Sequence, residues 1–335
     1  MVWAYDDLQT IFQASTPTLG EIVGIDKDGN PLINLASDTV LYKCYRNPRE
    51  ILVVAHALGF GIYGSRMVQM LLKSEDWENI GYEVQEGDFV AGSEMVIERP
   101  QQNSLGTISS IYAPNEIIQV APYETYTDEI VNTANSIKKD IADGLRPDDI
   151  LVTVVDDLNA KTYLNDLQNA LASMNIMANN VHADSFGLRD FQTDGQVTLS
   201  TVHKAKGNEA FMVYVVGIDN LFSSYAGVKE RNILFTAITR AKGWVRLSGV
   251  KPNMNECVKE VKTALKNFPY LMFNFPGPEQ LKRIKMDLEE KALKKQRLER
   301  MLDEILQNLS PDEVKSFVEQ RSIYKRQHHG RSKKK

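Results

Sequence analysis

Residues 197–218, "VTLSTVHKAKGNEAFMVYVVGI", join two apolar, β-branched runs through a cluster of His203, Lys204, Lys206, Gly207 and Glu209. Short continuous apolar runs of this kind read as buried strands. Alternation stops at Val202, where the first strand is expected to end. Gly207 permits a backbone geometry, or a close approach, that a side chain would obstruct. In doubly wound sheets ligands sit beyond the carboxyl ends of the strands. The polar cluster is therefore expected to project from a loop at that edge, where cations and one acid can hold phosphate oxygens and a sugar hydroxyl together. The same residues also describe an ordinary solvent-exposed loop.

The pattern is regular from about residue 125. "TYTDEIVNTANSIKKDIADGL" reads as an amphipathic helix ending at Gly144, "DDILVTVVD" as a buried strand and "NAKTYLNDLQNALASMNI" as a second helix. After the opening stretch, "KERNILFTAITRAK" reads as a helix and "WVRLSGV" as a strand. Strands alternating with helices of this length indicate a mostly parallel, doubly wound α/β sheet. Upstream, "EIVGIDKDGNPLINL" (21–35) is a short hairpin with Asp-Gly-Asn at its turn. In "YRNPREILVVAHALGFGIYG", Asn47 suits the N-cap of a helix and Pro48 its first position. "YEVQEGDFVAGSEMVIERP" reads as a polar hairpin. Beyond Gly249 come a helix ("NMNECVKEVKTALKNF"), a short apolar strand ("YLMFNF"), a long charged helix over 278–309 and a last short helix begun at Ser310-Pro311.

The 335 residues, 43% apolar and 25% charged, suit a soluble globular chain of about two domains. No apolar run approaches a membrane span, and the acidic start lacks the basic region of a secretory signal. Cys44 and Cys257 offer neither a disulfide framework nor a metal cluster, which fits a cytoplasmic setting. The net charge of −5 argues against a generic nucleic-acid coat, yet the last fifteen residues hold seven Lys/Arg and no acid. Such a tail either touches nucleic acid or is a solvated end. Cys44 reads as a core thiol on a strand and His56 as a satisfied core histidine. His182, His328 and His329 show no ligand spacing, so no metal site is expected.

A second cluster lies in "KERNILFTAITRAKGWVRLSG". Arg231 and Arg240 are nine residues apart, which on a straight helix places them on opposite faces unless the helix ends near Thr239. Arg240, near that end, could reach a phosphate, since a guanidinium pairs two oxygens and stays ionised. Arg231 reads equally well as a partner in a surface salt bridge.

These stretches resemble superfamily 1 helicases of the UvrD/Rep type. The opening stretch resembles motif V, "RNILFTAITRA" motif VI, "LYKCYRNPREILVVAHAL" motif IV and "YDDLQTIF" motif III, in the family's order. The resemblance implies a RecA-like, mostly parallel sheet flanked by helices, followed by a C-terminal helical arm. It implies the C-terminal motor domain of an ATP-dependent DNA helicase or translocase, using ATP with Mg²⁺ and gripping single-stranded DNA, with RNA not excluded. In that scheme Gln9 senses the terminal phosphate. Arg46 and Arg240 bind it across a cleft, Arg240 as the arginine finger. Tyr45, Lys206, Gly207 and Glu209 line the nucleotide, and Thr201, His203 and Lys204 meet the nucleic-acid backbone. Asp6 and Asp7 take a structural or water-bridged Mg²⁺ role.

The sequence departs from the family in four ways. No Gly-rich loop ending in Gly-Lys-Ser/Thr precedes motif III, and Lys161-Thr162 in "NAKTYL" has no glycines before it. The Asp-Glu pair that holds Mg²⁺ is likewise missing, so the chain reads as the C-terminal part of a longer helicase, inactive alone and completed by a first RecA-like domain. Phe12 stands in for the base-stacking aromatic of motif III, and Asn208-Ala210 departs from the usual motif V ending. The expected organisation is the end of a first RecA-like domain (1–20), a hairpin linker (21–35), the second RecA-like domain (36–249) with an insertion at about 66–115, a helical arm (250–320) and a basic tail (321–335). The rival reading is a non-catalytic RecA-like regulatory or scaffold module.

Overall fold

The computed structural model describes residues 41–156, 158–183, 190–223 and 226–284. Expectations for Gln9, Phe12, the 21–35 hairpin, the long charged helix and the basic tail lie outside the described residues.

A six-stranded parallel sheet forms the centre. Its strands are β3 (Ile118–Tyr123), β4 (Ile150–Val154), β5 (Ala178–Asn180), β6 (Val197–Thr201), β7 (Ala210–Val216) and β8 (Ala241–Val250), in the order β3-β8-β7-β4-β6-β5. Side chains alternate across a strand, so the central strands β4, β7 and β8 each feed two layers. Leu151, Val213, Val215, Val245 and Leu247 pack into one core, with Ile51, Val54, Leu58 and Phe60 of α1 (Arg49–Phe60). Val152, Val154, Met212, Tyr214 and Leu199 pack into the other. That second layer is closed by α4 (Tyr126–Ala142) and α5 (Ala160–Ser173). Burial on both faces is why these strands read as continuous apolar runs. This is the α/β sheet expected from the sequence.

The smaller elements are α2 (Ser74–Asn79), β1 (Glu83–Glu86), β2 (Glu94–Glu98), α3 (Pro114–Ile117), α6 (Val202–Ala205), α7 (Val228–Ile238), α8 (Met254–Asn267) and β9 (Tyr270–Asn274). α4 starts at a cap: the Thr125 hydroxyl accepts from the Asp128 amide, and the Asp128 carboxylate accepts from the Thr125 amide. It ends before Gly144, whose φ of 107° suits glycine alone. The predicted hairpin in the insertion is present as antiparallel β1 and β2. β9 does not join the main sheet. It pairs antiparallel with β2, making a three-stranded sheet from the insertion and the segment after Gly249.

Three expectations are corrected here. Cys44 is not on a strand; it lies half-buried in a turn, its amide donating to the Asn103 carbonyl at 3.0 Å. Asn47 is not a cap: the helix starts at Arg49, Pro48 takes the N-cap position, and the Asn47 side chain is used elsewhere. Arg231 is neither a ligand nor a surface ion. It is 2% exposed and forms a bidentate pair with Glu260 of α8 (2.6 and 2.9 Å), while Nη1 also donates to the Leu58 carbonyl. Its guanidinium stacks over Phe222. This one buried group ties α7, α8 and the end of α1 together. By contrast, His56 meets its expectation: its Nδ1 lies 2.8 Å from the Leu52 carbonyl in the buried layer beside Tyr82.

Candidate functional site

The opening stretch determines where everything else falls. β6 ends at Thr201 level with Val154, at the carboxyl edge of the sheet, while β7 begins at Ala210 at the amino edge. Only residues 202–209 connect them, and they must cross the full length of a strand. At about 3.3 Å per residue that is roughly 15 Å, so one short helix, α6, and a four-residue loop are used up in the crossing. The expectation that His203, Lys204, Lys206 and Glu209 all project at the carboxyl edge is therefore wrong for Glu209. His203 and Lys204 stay near the carboxyl edge; Glu209 reaches the amino edge. Gly207, in between, has a φ of 92° with open space where a side chain would begin. Its role here is the left-handed turn.

The amino edge gathers both predicted arginines. Glu209 lies 3.9 Å from Arg46 Nε and 3.6 Å from Lys242 Nζ. These three groups are partly exposed, so each pairing contributes at most about 1 kcal/mol. Lys242 also covers the face of Phe211. α7 ends at Ile238 with Thr239 as its C-cap, and β8 starts at Ala241. Arg240 therefore lies in the corner between them, not on the helix, and the opposite-face argument does not apply to it. Its Nε donates to the Thr236 carbonyl (3.1 Å) and its Nη1 to the Asn208 carbonyl (3.4 Å). At 2% exposed, Arg240 is buried in this conformation, whereas Arg46 is about one-third exposed. Tyr45 stands 74% exposed with Lys43 Nζ 5.3 Å from its ring centre.

Asn47 links the two arginines. Its amide nitrogen donates to the carbonyls of Thr239 (3.0 Å) and Ala241 (2.7 Å), the residues on either side of Arg240. Its amide oxygen accepts from Arg46 Nε at 3.3 Å. It is 1% exposed, so these bonds replace lost water. The insertion braces the same turn through the Cys44–Asn103 bond. Arg99, buried with no carboxylate against it among the described residues, is held there by the carbonyls of Ile80 and Asn103 and the Ser104 hydroxyl. The sequence concealed Asn47 because an Asn before a Pro at a helix start also fits a cap.

The carboxyl edge is arranged differently. Thr201 is buried, and its amide and hydroxyl lie 3.4 and 3.1 Å from His182 Nε2, just past β5. Lys204 is exposed, with Nζ donating to the Val181 carbonyl at 3.0 Å. Lys206 is exposed on the loop, and His203 is half-buried. Deeper in, the Glu129 carboxylate accepts from the Gly217 amide (3.0 Å), the Ser248 hydroxyl (2.6 Å) and the Tyr163 hydroxyl (3.0 Å). Burial pushes the Glu129 pKa upward, against those three bonds. In the sequence Glu129 looks like any polar position of an amphipathic helix, because its partners Tyr163, Gly217 and Ser248 lie 34, 88 and 119 positions away. Among the described residues no group of three or more His, Cys, Asp or Glu is placed to hold a metal ion. No described helix is long and apolar enough to cross a membrane.

This geometry defines a parallel α/β domain whose conspicuous charged groups lie at two opposite sheet edges joined by one crossover. Residues 196–248, which run from just before β6 to near the end of β8, match the family of UvrD-like helicase C-terminal domains. The matched residues cover the crossover, α7 and the Arg240 corner. Among solved structures, the C-terminal domain of a "possible DNA helicase" from Lactobacillus plantarum WCFS1 is similar over 42% of this chain and 80% of that one, with 16% identity and a TM-score of 0.32. No curated protein matches the chain.

Proposed function

We propose that this chain is the C-terminal motor domain of an ATP-dependent DNA helicase or translocase. Its amino edge serves the phosphates of ATP, held with Mg²⁺ by a first RecA-like domain, and its carboxyl edge grips single-stranded nucleic acid. The family match over 196–248 carries the reading, and the gathering of Arg46, Glu209 and Arg240 at one edge supports it. In this scheme Arg46, already about one-third exposed, meets the phosphates first. Arg240 must exchange the Asn208 carbonyl for a phosphate oxygen, a trade favoured because the phosphate brings a full opposite charge and can pair two guanidinium N–H groups at once. Thr201, His203 and Lys204 contact the strand's backbone, Tyr45 and Lys206 flank the nucleotide, and Glu209 turns to the ribose once Arg46 leaves it.

Phosphate contacts carry little sequence information, so binding should be sequence-tolerant and salt-sensitive. The test is fluorescence anisotropy with labelled oligo-dT and a mixed-sequence strand over a salt series. Comparable affinities and a falling log-log salt slope are expected, shallower by about 0.7 for Lys204→Ala. Equal slopes for the two proteins would remove Lys204 from the interface.

One observation favours the alternative, a non-catalytic RecA-like regulatory or scaffold module: Arg240 is buried and bonded to carbonyls. ATP hydrolysis by the protein that contains the phosphate-holding domain separates the two readings. A rate unaffected by Arg240→Ala favours the scaffold.

A further inference from the structure

His182 has no assigned role in the scheme above, yet its chemistry is determined by its neighbours. The Thr201 backbone N–H can only donate, and it points at His182 Nε2 from 3.4 Å, with the Thr201 hydroxyl 3.1 Å from the same atom. Nε2 must therefore be the bare, accepting nitrogen, and the ring proton must sit on Nδ1. Burial and the nearby Lys204 both hold the His182 pKa below its ordinary value, which keeps the ring neutral. Nδ1–H has no partner among the described residues, and the ring is only partly buried. The backbone beneath is pinned: the His182 amide donates to the Asn180 side-chain oxygen at 3.0 Å, and Asn180 is 1% exposed. Lys204 is anchored to the adjacent Val181 carbonyl, which leaves two of its ammonium hydrogens for another acceptor.

We infer that His182 and Lys204 together form a phosphodiester subsite at the carboxyl edge of β5 and β6, with the His182 Nδ1–H and the Lys204 ammonium donating to oxygens of a single-stranded nucleic acid. Thr201 acts behind them as the group that fixes the tautomer. A neutral donor beside a cation suits a diester, whose single negative charge Lys204 already balances. The inference rests on reading this edge as the nucleic-acid face.

Side-chain amides separate the two ring nitrogens. In His182→Asn the amide falls near the Nδ1 position and keeps a donor there; in His182→Gln it reaches the Nε2 position and keeps the acceptor for Thr201. With the full chain and labelled oligo-dT, His182→Ala and His182→Gln should each weaken binding about tenfold, the size of one hydrogen bond to a charged group, while His182→Asn stays near wild type. A His182→Gln protein that binds as tightly as wild type overturns the Nδ1 contact. If Lys204→Ala and every His182 variant bind like wild type, the reading of this edge fails as a whole; if Lys204→Ala alone weakens binding, the edge stands and the His182 inference falls. Nitrogen-15 spectra of the labelled histidines supply a second readout. The His182 Nδ1 signal should show the protonated form at neutral pH and shift on adding oligo-dT. A matching shift with inorganic pyrophosphate at equal concentration would mark a general phosphate site and overturn the nucleic-acid assignment.

Discussion

The two edges of the sheet treat their charges in opposite ways. At the amino edge the cations are occupied within the protein: Arg46 and Lys242 face Glu209, and Arg240 is buried on main-chain carbonyls. At the carboxyl edge Lys204 is exposed and anchored to the Val181 carbonyl, and the neighbouring His182 ring carries a donor unmatched among the described residues. The amino edge must therefore exchange partners before it can take a ligand, while the carboxyl edge is already arranged. Residues 202–209 touch both, so a shift of the crossover at one edge is felt at the other within eight residues. In the proposed motor that is the shortest covalent route between nucleotide and strand.

The largest expected separation of the edges comes from Arg240→Ala. In a protein that also carries the phosphate-holding domain, kcat for ATP hydrolysis should fall by about 10³–10⁵, the range for a lost arginine finger, while oligo-dT affinity stays within about twofold. A parallel fall in affinity would mean that the edges are not separable. The second test moves both edges at once through the core. His56 is neutral in the fold, with its pKa lowered to about 3 by burial first and Arg99 second. The unfolded chain binds this proton near pH 6.5. Stability from this group is therefore full above that value and is lost as pH falls toward 3, by about 4–5 kcal/mol when complete. Denaturant titrations from pH 7 to pH 4 should show a shallower acid loss for His56→Phe than for wild type. Glu129 and Glu260, whose pKa values are raised mainly by burial, act in the opposite direction: they favour the fold at low pH and lose that contribution as pH rises through their folded values.

Next in size is Arg231→Ala, expected to cost about 3–5 kcal/mol because Glu260 is left buried and unpaired. Arg231→Met with Glu260→Leu should recover most of it in the same melts, since an apolar pair of similar volume avoids desolvation. The smallest change is the most local. Asn47→Ala leaves the Thr239 and Ala241 carbonyls short of a donor, at about 1–3 kcal/mol. It should weaken ATP affinity in the two-domain protein without altering oligo-dT binding. If strand binding drops equally, Asn47 holds the whole fold rather than the amino edge.

Much of the fold was legible because its strands are buried on both faces and its helices are long enough to show a period. "ILVTV" and "AFMVYVV" leave few other readings, and Gly144 marks the end of α4 at the expected place. For the candidate site, the sequence names the charged residues but not where the fold places them. Arg46 comes from the resemblance to the helicase motifs and Glu209 and Arg240 from their charge as well, yet nothing in either tells that the crossover spans the whole strand, which moves Glu209 to the opposite edge. Asn47, Lys242 and His182 were missed because each acts through a partner distant in sequence: Asn47 bonds across more than 190 positions. Arg231 was misjudged for the same reason, its partner Glu260 lying on a helix the motifs do not reach.

The pairing of β9 with β2 has a practical corollary. β9 covers one border of the insertion's hairpin along Glu94–Glu98, where Met95 and Ile97 are fully enclosed. A version of the protein ended after Val250, at the natural-looking boundary of the main sheet, would lay that border bare as a row of unsatisfied amides beside two apolar side chains. Strand borders of that description recruit other chains. Any attempt to isolate the smaller unit for study should keep the polypeptide through Asn274, or self-association will be measured in place of function.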